Sequence, residues 1–118
     1  MEELTTFEAA GDFLVRHGDA PVLVFKHSTR CPISASALRR AEAWLAAKGG
    51  DAPPAARVCV VEHRAVSNFL ADRLGASHAS PQAFLCRRGR PFWHASHGGI
   101  TGEALEGALF PQKMRVFD

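Results

Sequence analysis

The sequence predicts an α/β fold, one mixed sheet covered by helices on both faces, and three observations carry that prediction. Two apolar runs, residues 22–25 and 58–61, have the length and β-branched character of strands buried on both faces. The segments around them repeat apolar residues at helical spacing. After residue 80 the pattern changes to two strand-like runs around the turn Arg88-Gly89-Arg90, the mark of a hairpin. Strands joined by helical crossovers lie parallel and close in space, with right-handed connections. The final hairpin adds an antiparallel pair to the same sheet.

Taken in order, Thr5 and Glu8 have capping-box spacing, and Phe7, Ala10, Phe13 and Leu14 then recur on one helical face up to Gly18. A strand at Glu3-Leu4 has little support. The central strand follows at Val22, and Pro32 then suits the first turn of a helix, where its missing N–H costs nothing. Ile33, Ala37, Leu38, Ala41, Trp44 and Leu45 form the expected apolar face of that helix, which Lys48-Gly49-Gly50 should stop. Pro53-Pro54 lies in a loop before the strand at 58–61. Val66, Phe69, Leu70 and Leu74 mark a third helix ending at Gly75. Ala76 to Gln82 read as a polar loop, residues 83–87 and 91–97 as the hairpin, and Thr101 as the cap of a last helix carrying Leu105, Ala108 and Leu109. The tail from Pro111 has no clear assignment.

At 118 residues the chain is expected to form a single domain, 1–118, with a core of its own. Hydrophobic residues make up 47% and charged residues 22%, a balance that argues against disorder. Fourteen basic and twelve acidic residues leave +2 with no concentrated stripe, so no nucleic-acid partner is expected. No apolar run approaches membrane-spanning length, and none resembles a secretory leader at Met1-Glu2-Glu3. The expectation is a soluble cytoplasmic protein. Three widely spaced cysteines, Cys31, Cys59 and Cys86, do not make a disulfide scaffold or a paired zinc motif, and a reducing compartment suits them.

The chemistry concentrates where the central strand runs through Lys26-His27-Ser28-Thr29-Arg30 into Cys31-Pro32. Cys31 falls at or beside the N-cap of the following helix, facing free N–H groups and the positive end of the helix dipole. That setting favours the thiolate, which is the nucleophile in disulfide exchange, and Arg30 and Lys26 can reinforce it. A reactive Cys-Pro at the carboxyl end of a central strand places the chain among thioredoxin-like folds, with the ligand expected at that end of the sheet. Such proteins usually carry a second cysteine three residues on. Here that residue is Ser34, which can donate a hydrogen bond to the Cys31 thiolate but cannot close a disulfide, so an external thiol must finish any exchange.

Two further loops join the expected site. Ser80-Pro81, just before the hairpin, stands where this fold carries a cis-proline opposite the cysteine. His97-Gly98-Gly99 precedes the Thr101 helix, and its backbone N–H groups could receive an anion. With Lys26, His27, Arg30 and His78, this corner suits an acidic small-molecule thiol. Cys59 and Cys86 lie in apolar strands and read as small core residues. The six histidines show no spacing beside a cysteine or carboxylate that makes a metal site, so no metal is expected.

The segments Lys26 to Ser34, Arg64-Ala65-Val66-Ser67-Asn68, His78-Ala79-Ser80-Pro81-Gln82 and Trp93 to His97 with Ile100-Thr101 resemble the YtxJ-type monothiol bacilliredoxins, in order and spacing, over about residues 23–101. The resemblance implies a thiol-disulfide oxidoreductase that removes bacillithiol from S-thiolated client proteins. Cys31 would attack the bacillithiol sulfur. A second bacillithiol, a co-substrate rather than a tightly bound cofactor, would then regenerate Cys31, and a separate NADPH-dependent reductase would recycle the bacillithiol disulfide. Two positions differ from the family pattern. Ala79 stands in place of a glutamate, and Gly98-Gly99 replace an aromatic and a polar residue, leaving a smaller rim around the thiol pocket.

A non-catalytic thioredoxin-like module, or a redox sensor reversibly thiolated at Cys31, is the main competing expectation. Iron–sulfur binding of the monothiol-glutaredoxin kind ranks last, because Pro32-Ile33 stand where those proteins carry glycine and phenylalanine.

Overall fold

The computed structural model describes residues 1–110, and the unassigned tail lies outside these described residues. The elements are β1 (Glu2–Glu3), α1 (Phe7–Arg16), β2 (Val22–His27), α2 (Pro32–Lys48), β3 (Ala55–Cys59), α3 (Arg64–Leu74), β4 (Gln82–Arg87), β5 (Arg90–Ser96) and α4 (Gly102–Leu109). The five strands form one mixed sheet in the order β1-β3-β2-β4-β5. β3 runs parallel to both β1 and β2, while β4 runs antiparallel to β2 and to β5.

β2 is central, and all six of its residues are buried. Successive strand side chains point to opposite faces, so β2 feeds two cores at once. Val22 and Val24 join Ala56, Val58, Phe84 and Cys86 beneath Ala10, Phe13 and Leu14 of α1 and Val66, Leu70 and Leu74 of α3. Leu23 and Phe25 join Ala83 and Leu85 beneath Ala37, Leu38, Ala41 and Trp44 of α2 and Leu105 and Leu109 of α4. On this second face Trp44 Nε1 donates to Glu106 at 3.0 Å and Lys48 Nζ donates to the other oxygen of the same carboxylate at 3.1 Å, tying α2 to α4.

Local chemistry explains the ends of the elements. The N-cap of α1 is Thr6, whose hydroxyl accepts from Ala9 N–H at 3.0 Å, so the expected cap at Thr5 is displaced by one residue. The shift puts Phe7 at the first helical position and leaves it half exposed. Thr101 caps α4 as the sequence suggested, accepting from Ala104 N–H at 3.0 Å. Gly75 ends α3 in the left-handed conformation at φ 65°. In the hairpin both Arg88 and Gly89 have positive φ, 52° and 76°, the conformation that a two-residue turn needs to match the twist of its strands.

Three further expectations are corrected. The weak N-terminal strand forms at Glu2–Glu3, held by pairing to β3 and by Arg57 Nη2 donating to Glu3 at 2.8 Å. β3 begins at Ala55 and ends at Cys59, earlier than the apolar run, because β2 on one side and β1 on the other supply its hydrogen-bond partners. Ile33 is 58% exposed while Ser34 is fully buried, so the first turn of α2 presents the face opposite to the one its hydropathy suggested. No described helix is long and apolar enough to cross a membrane.

Candidate functional site

β2 and β3 end, β4 begins and β5 ends at one edge of the sheet, and that edge gathers most of the expected residues. The register sets His27 of β2 beside Cys59 of β3, Lys26 beside Gln82 of β4, and Gln82 beside Ser96 of β5. The loop from β2 leads to Cys31, and the loop into β4 carries Ser80 and Pro81. The bond between those two is cis. Cys31 is the N-cap of α2 with Pro32 as the first helical residue, and its thiol is partly exposed. The side chain makes no capping hydrogen bond, which leaves the sulfur free of the backbone groups around it.

Ser34 does not spend its hydroxyl as the sequence suggested. Its Oγ accepts from Ser28 N–H at 2.9 Å and lies 2.8 Å from His27 Nδ1, both beneath the Cys31 loop. The expected hydrogen bond to Cys31 is therefore replaced by a buried link to β2. The physical reason is depth: Ser34 is fully buried on the face of α2 that meets the sheet, where a hydroxyl must find internal partners. Burial, then the charge of Arg57, holds the His27 ring below the ordinary imidazole range, while Glu42 and Glu62 oppose that shift.

Lys26 and His27 are both interior, so neither contributes to an open cationic corner. They part to opposite faces of the sheet, as neighbours on a strand must. Lys26 is fully buried on the α3 side, and burial pushes its pKa down to about 8. Its Nζ and the Oγ of Ser80 are the two buried side-chain atoms with no hydrogen-bond partner among the described residues. Near them Gln82 braces the proline loop, accepting from Ala79 N–H and donating to the Ser77 carbonyl, each at 3.2 Å. His78 is exposed, with Nδ1 3.4 Å from Ser67 Oγ. Lost hydration and the charges of Lys26 and Arg64 keep His78 below its ordinary range.

Arg30, His78, His97, Gly98 and Gly99 remain as the exposed members of the expected corner. His97 donates its N–H to the carbonyl of Pro81 at 3.1 Å, joining the last turn to the cis-proline loop. Sequence reasoning missed the residue that holds this turn. Arg40 of α2 donates from Nε to the Ile100 carbonyl at 2.7 Å and from Nη2 to the His97 carbonyl at 3.2 Å. A third guanidinium bond, to Ser36 Oγ at 3.0 Å, fixes its direction. The only trace in the sequence is the pairing of Ser36 and Arg40 one helical turn apart. Because Thr101 already caps α4, the first free N–H groups of that helix are partly satisfied from within.

On the other side of Cys31, Thr29 donates its hydroxyl to Glu62 at 2.8 Å, linking the cysteine loop to the loop after β3. Glu62 also lines a cleft of about 380 Å³ between the starts of α1 and α3, with Thr6, Phe7, His63 and Arg64 along its walls.

The other two cysteines differ in place and in chemistry. Cys86 is fully buried in the α1/α3 core, and burial pushes its thiol up to about 12. Cys59 is only half-buried, a correction to its reading as a core residue. Burial first, then the carboxylates of Glu62 and Glu3, raises its pKa and keeps it a thiol. Among the described residues no group of three metal-ligating side chains comes together.

A family described as monothiol bacilliredoxin BrxC matches residues 2–105 of this chain. Among solved structures, a thioredoxin-fold protein assigned as an oxidoreductase is similar, with 28% identity, a TM-score of 0.82 and 91% of each chain covered. Thioredoxin from Fasciola hepatica shares the fold at 15% identity and a TM-score of 0.74, covering 94% of this chain and 98% of that one. Thioredoxin from Trypanosoma brucei brucei shares it at 12% identity and a TM-score of 0.72, with 95% and 89% covered. The fold is thioredoxin-like, and the family and the fold indicate a protein of thiol oxidoreductase type.

Proposed function

The chain belongs to the monothiol bacilliredoxin family, and from that premise we propose that it is a cytoplasmic oxidoreductase that reduces mixed disulfides between client proteins and bacillithiol. The Cys31 thiolate attacks the bacillithiol sulfur of the mixed disulfide. The client–bacillithiol bond breaks, the client cysteine leaves as a thiolate and takes a proton from water, and a Cys31–bacillithiol disulfide forms. The thiolate of a second bacillithiol attacks the bacillithiol sulfur of that adduct, releasing Cys31 and bacillithiol disulfide. A separate NADPH-dependent reductase returns the disulfide to two thiols.

One observation carries the reading: the residue three positions after Cys31 is a buried serine, and the two other thiols are held protonated by burial. An internal resolving step has no thiolate to use. Pro32 fixes the start of the helix that presents the sulfur, and Ser34 anchors that turn to β2. Ser80 and cis-Pro81 form the wall across from Cys31. Arg30 supplies positive charge for the carboxylates of an acidic thiol, His78 and His97 offer ring N–H donors beside it, and Ala79 with Gly98 and Gly99 keeps the rim small.

The choice of thiol is tested on one client protein prepared in two forms, S-bacillithiolated and S-glutathionylated. Each form is offered with its matching reduced thiol, and release of client is followed by mass. Faster release from the bacillithiolated form, by tenfold or more as roughly one or two charge-assisted contacts would supply, is the expected result. Equal or faster release of glutathione would reject bacillithiol as the preferred thiol.

A further inference from the structure

One helix holds both sides of the reacting gap. Cys31 is the N-cap of α2, and Ser34 fastens that end of the helix to the loop leaving β2, accepting from Ser28 N–H at 2.9 Å. Further along α2, Arg40 reaches the turn that follows β5, donating from Nε to the Ile100 carbonyl at 2.7 Å and from Nη2 to the His97 carbonyl at 3.2 Å. The backbone N–H of that same His97 donates to the Pro81 carbonyl at 3.1 Å. A chain of hydrogen bonds thus runs from the helix that presents the sulfur to the proline loop.

The turn has little of its own to hold it in place. His97 stands in the left-handed region at φ 52°, a backbone conformation that a residue with a side chain seldom takes. Gly98 and Gly99 follow, and a Cβ at Gly98 would meet nothing within 4 Å. Two glycines in open space leave the backbone a wide choice of conformations. The planar fork of Arg40 meets two carbonyls of the turn at once, and its bond to Ser36 Oγ at 3.0 Å keeps the fork aimed.

We propose that Arg40 is a positioning residue for disulfide exchange, holding the His97 turn, and through it the Pro81 loop, in a fixed place relative to Cys31. The inference rests on Cys31 attacking a mixed disulfide, as proposed above. In that exchange the Cys31 thiolate bonds to the bacillithiol sulfur as the bond to the client sulfur breaks, and the client leaves as the thiolate. The three sulfurs must stand nearly in line, so a wall that drifts by about 1 Å costs rate even when the substrate still binds. Arg40 acts on them only through the backbone of His97 and Pro81.

The test compares full-length wild type, Arg40→Met and Arg40→Lys, well below their melting temperatures, on one S-bacillithiolated client protein. Single-turnover release of client, followed by mass against client concentration, gives a limiting rate and a half-saturating concentration. Alkylation of Cys31 by iodoacetamide, which needs no wall, is measured beside it, and amide hydrogen exchange reports the His97 N–H. In Arg40→Met the limiting rate is expected to fall about tenfold or more, the half-saturating concentration to change less than about threefold, and alkylation to stay within about twofold of wild type. Exchange at the His97 amide is expected to quicken about tenfold while that at Phe25 stays unchanged. Arg40→Lys keeps the charge but not the fork, so it is expected to follow Arg40→Met. A limiting rate that survives in Arg40→Met, or a His97 amide that exchanges no faster, overturns the proposal. So does full activity in Arg40→Lys, because the charge alone would then suffice, and so does an equal loss of alkylation, because the damage would then lie at Cys31 itself. A wild type that releases no client rejects the proposed function, and the role of Arg40 in exchange falls with it.

Discussion

Cys31→Ala is expected to lower turnover of a protein–bacillithiol mixed disulfide to the rate of free bacillithiol alone, while Cys59→Ala and Cys86→Ala keep turnover near that of wild type. The expectation follows from where the three sulfurs sit. Cys31 opens α2 at the exposed edge of the sheet and keeps its sulfur clear of capping bonds. Cys86 lies in the core with its thiol pushed up to about 12, so no useful fraction is thiolate near neutral pH. Cys59 is nearer to the site, as the register partner of His27, but burial and two carboxylates hold it as a thiol. Cys86→Ala leaves a small cavity and costs stability of about 1 kcal/mol, so its assay belongs well below its melting temperature. Client release followed by intact mass checks all three variants. Loss of turnover in Cys59→Ala, with Cys31 intact, would assign the resolving step to Cys59.

Lys26→Met is expected to stabilise the protein at pH 7 by about 3 kcal/mol, the equivalent of a pKa depressed by burial from 10.5 to about 8. A lysine whose folded pKa is lowered binds fewer protons in the fold than in the unfolded chain between those two values. Stability of the wild type therefore rises with pH from about 8 to 10.5. Below about 8 the buried ammonium carries its full cost, and above 10.5 the lysine is neutral in both states. The advantage of Lys26→Met should accordingly be constant below pH 8 and shrink as pH climbs to 10.5, as denaturant unfolding at stepped pH would measure. A flat difference across that range, or a destabilised variant at pH 7, would contradict the account. The cost is tolerable because β2 also buries Leu23 and Phe25 completely, each contributing roughly 1.5–3 kcal/mol.

That such a cost persists in the central strand bears on how the site could be read. Cys31-Pro32 after an apolar run is legible because each part has a local cause: strand length, proline at the first helical position, a cysteine facing free N–H groups. The Arg88-Gly89 turn was legible for the same kind of reason, whereas the cis-proline loop was legible from topology, by its place just before the hairpin. The end of β2 was not. Hydropathy stops the strand at Phe25, yet pairing with Val58 and Gln82 carries the ladder through Lys26, and Cys59 carries it through His27. Two polar residues thus enter the interior on opposite faces, and pattern alone placed both in a solvent-facing corner. Ile33 and Ser34 were inverted by the same error, because an apolar residue beside a buried serine reverses the expected face of one helical turn. Arg40 was invisible because its partners are backbone carbonyls 57 and 60 positions away, which no local spacing encodes.

The most direct measurement of the central claim is the intact mass of wild type and Cys31→Ala after incubation with bacillithiol disulfide. The account predicts one bacillithiol adduct on wild type, none on Cys31→Ala, and loss of the adduct when excess reduced bacillithiol is added. An adduct on Cys31→Ala, or an adduct on wild type that the external thiol does not remove, would contradict it.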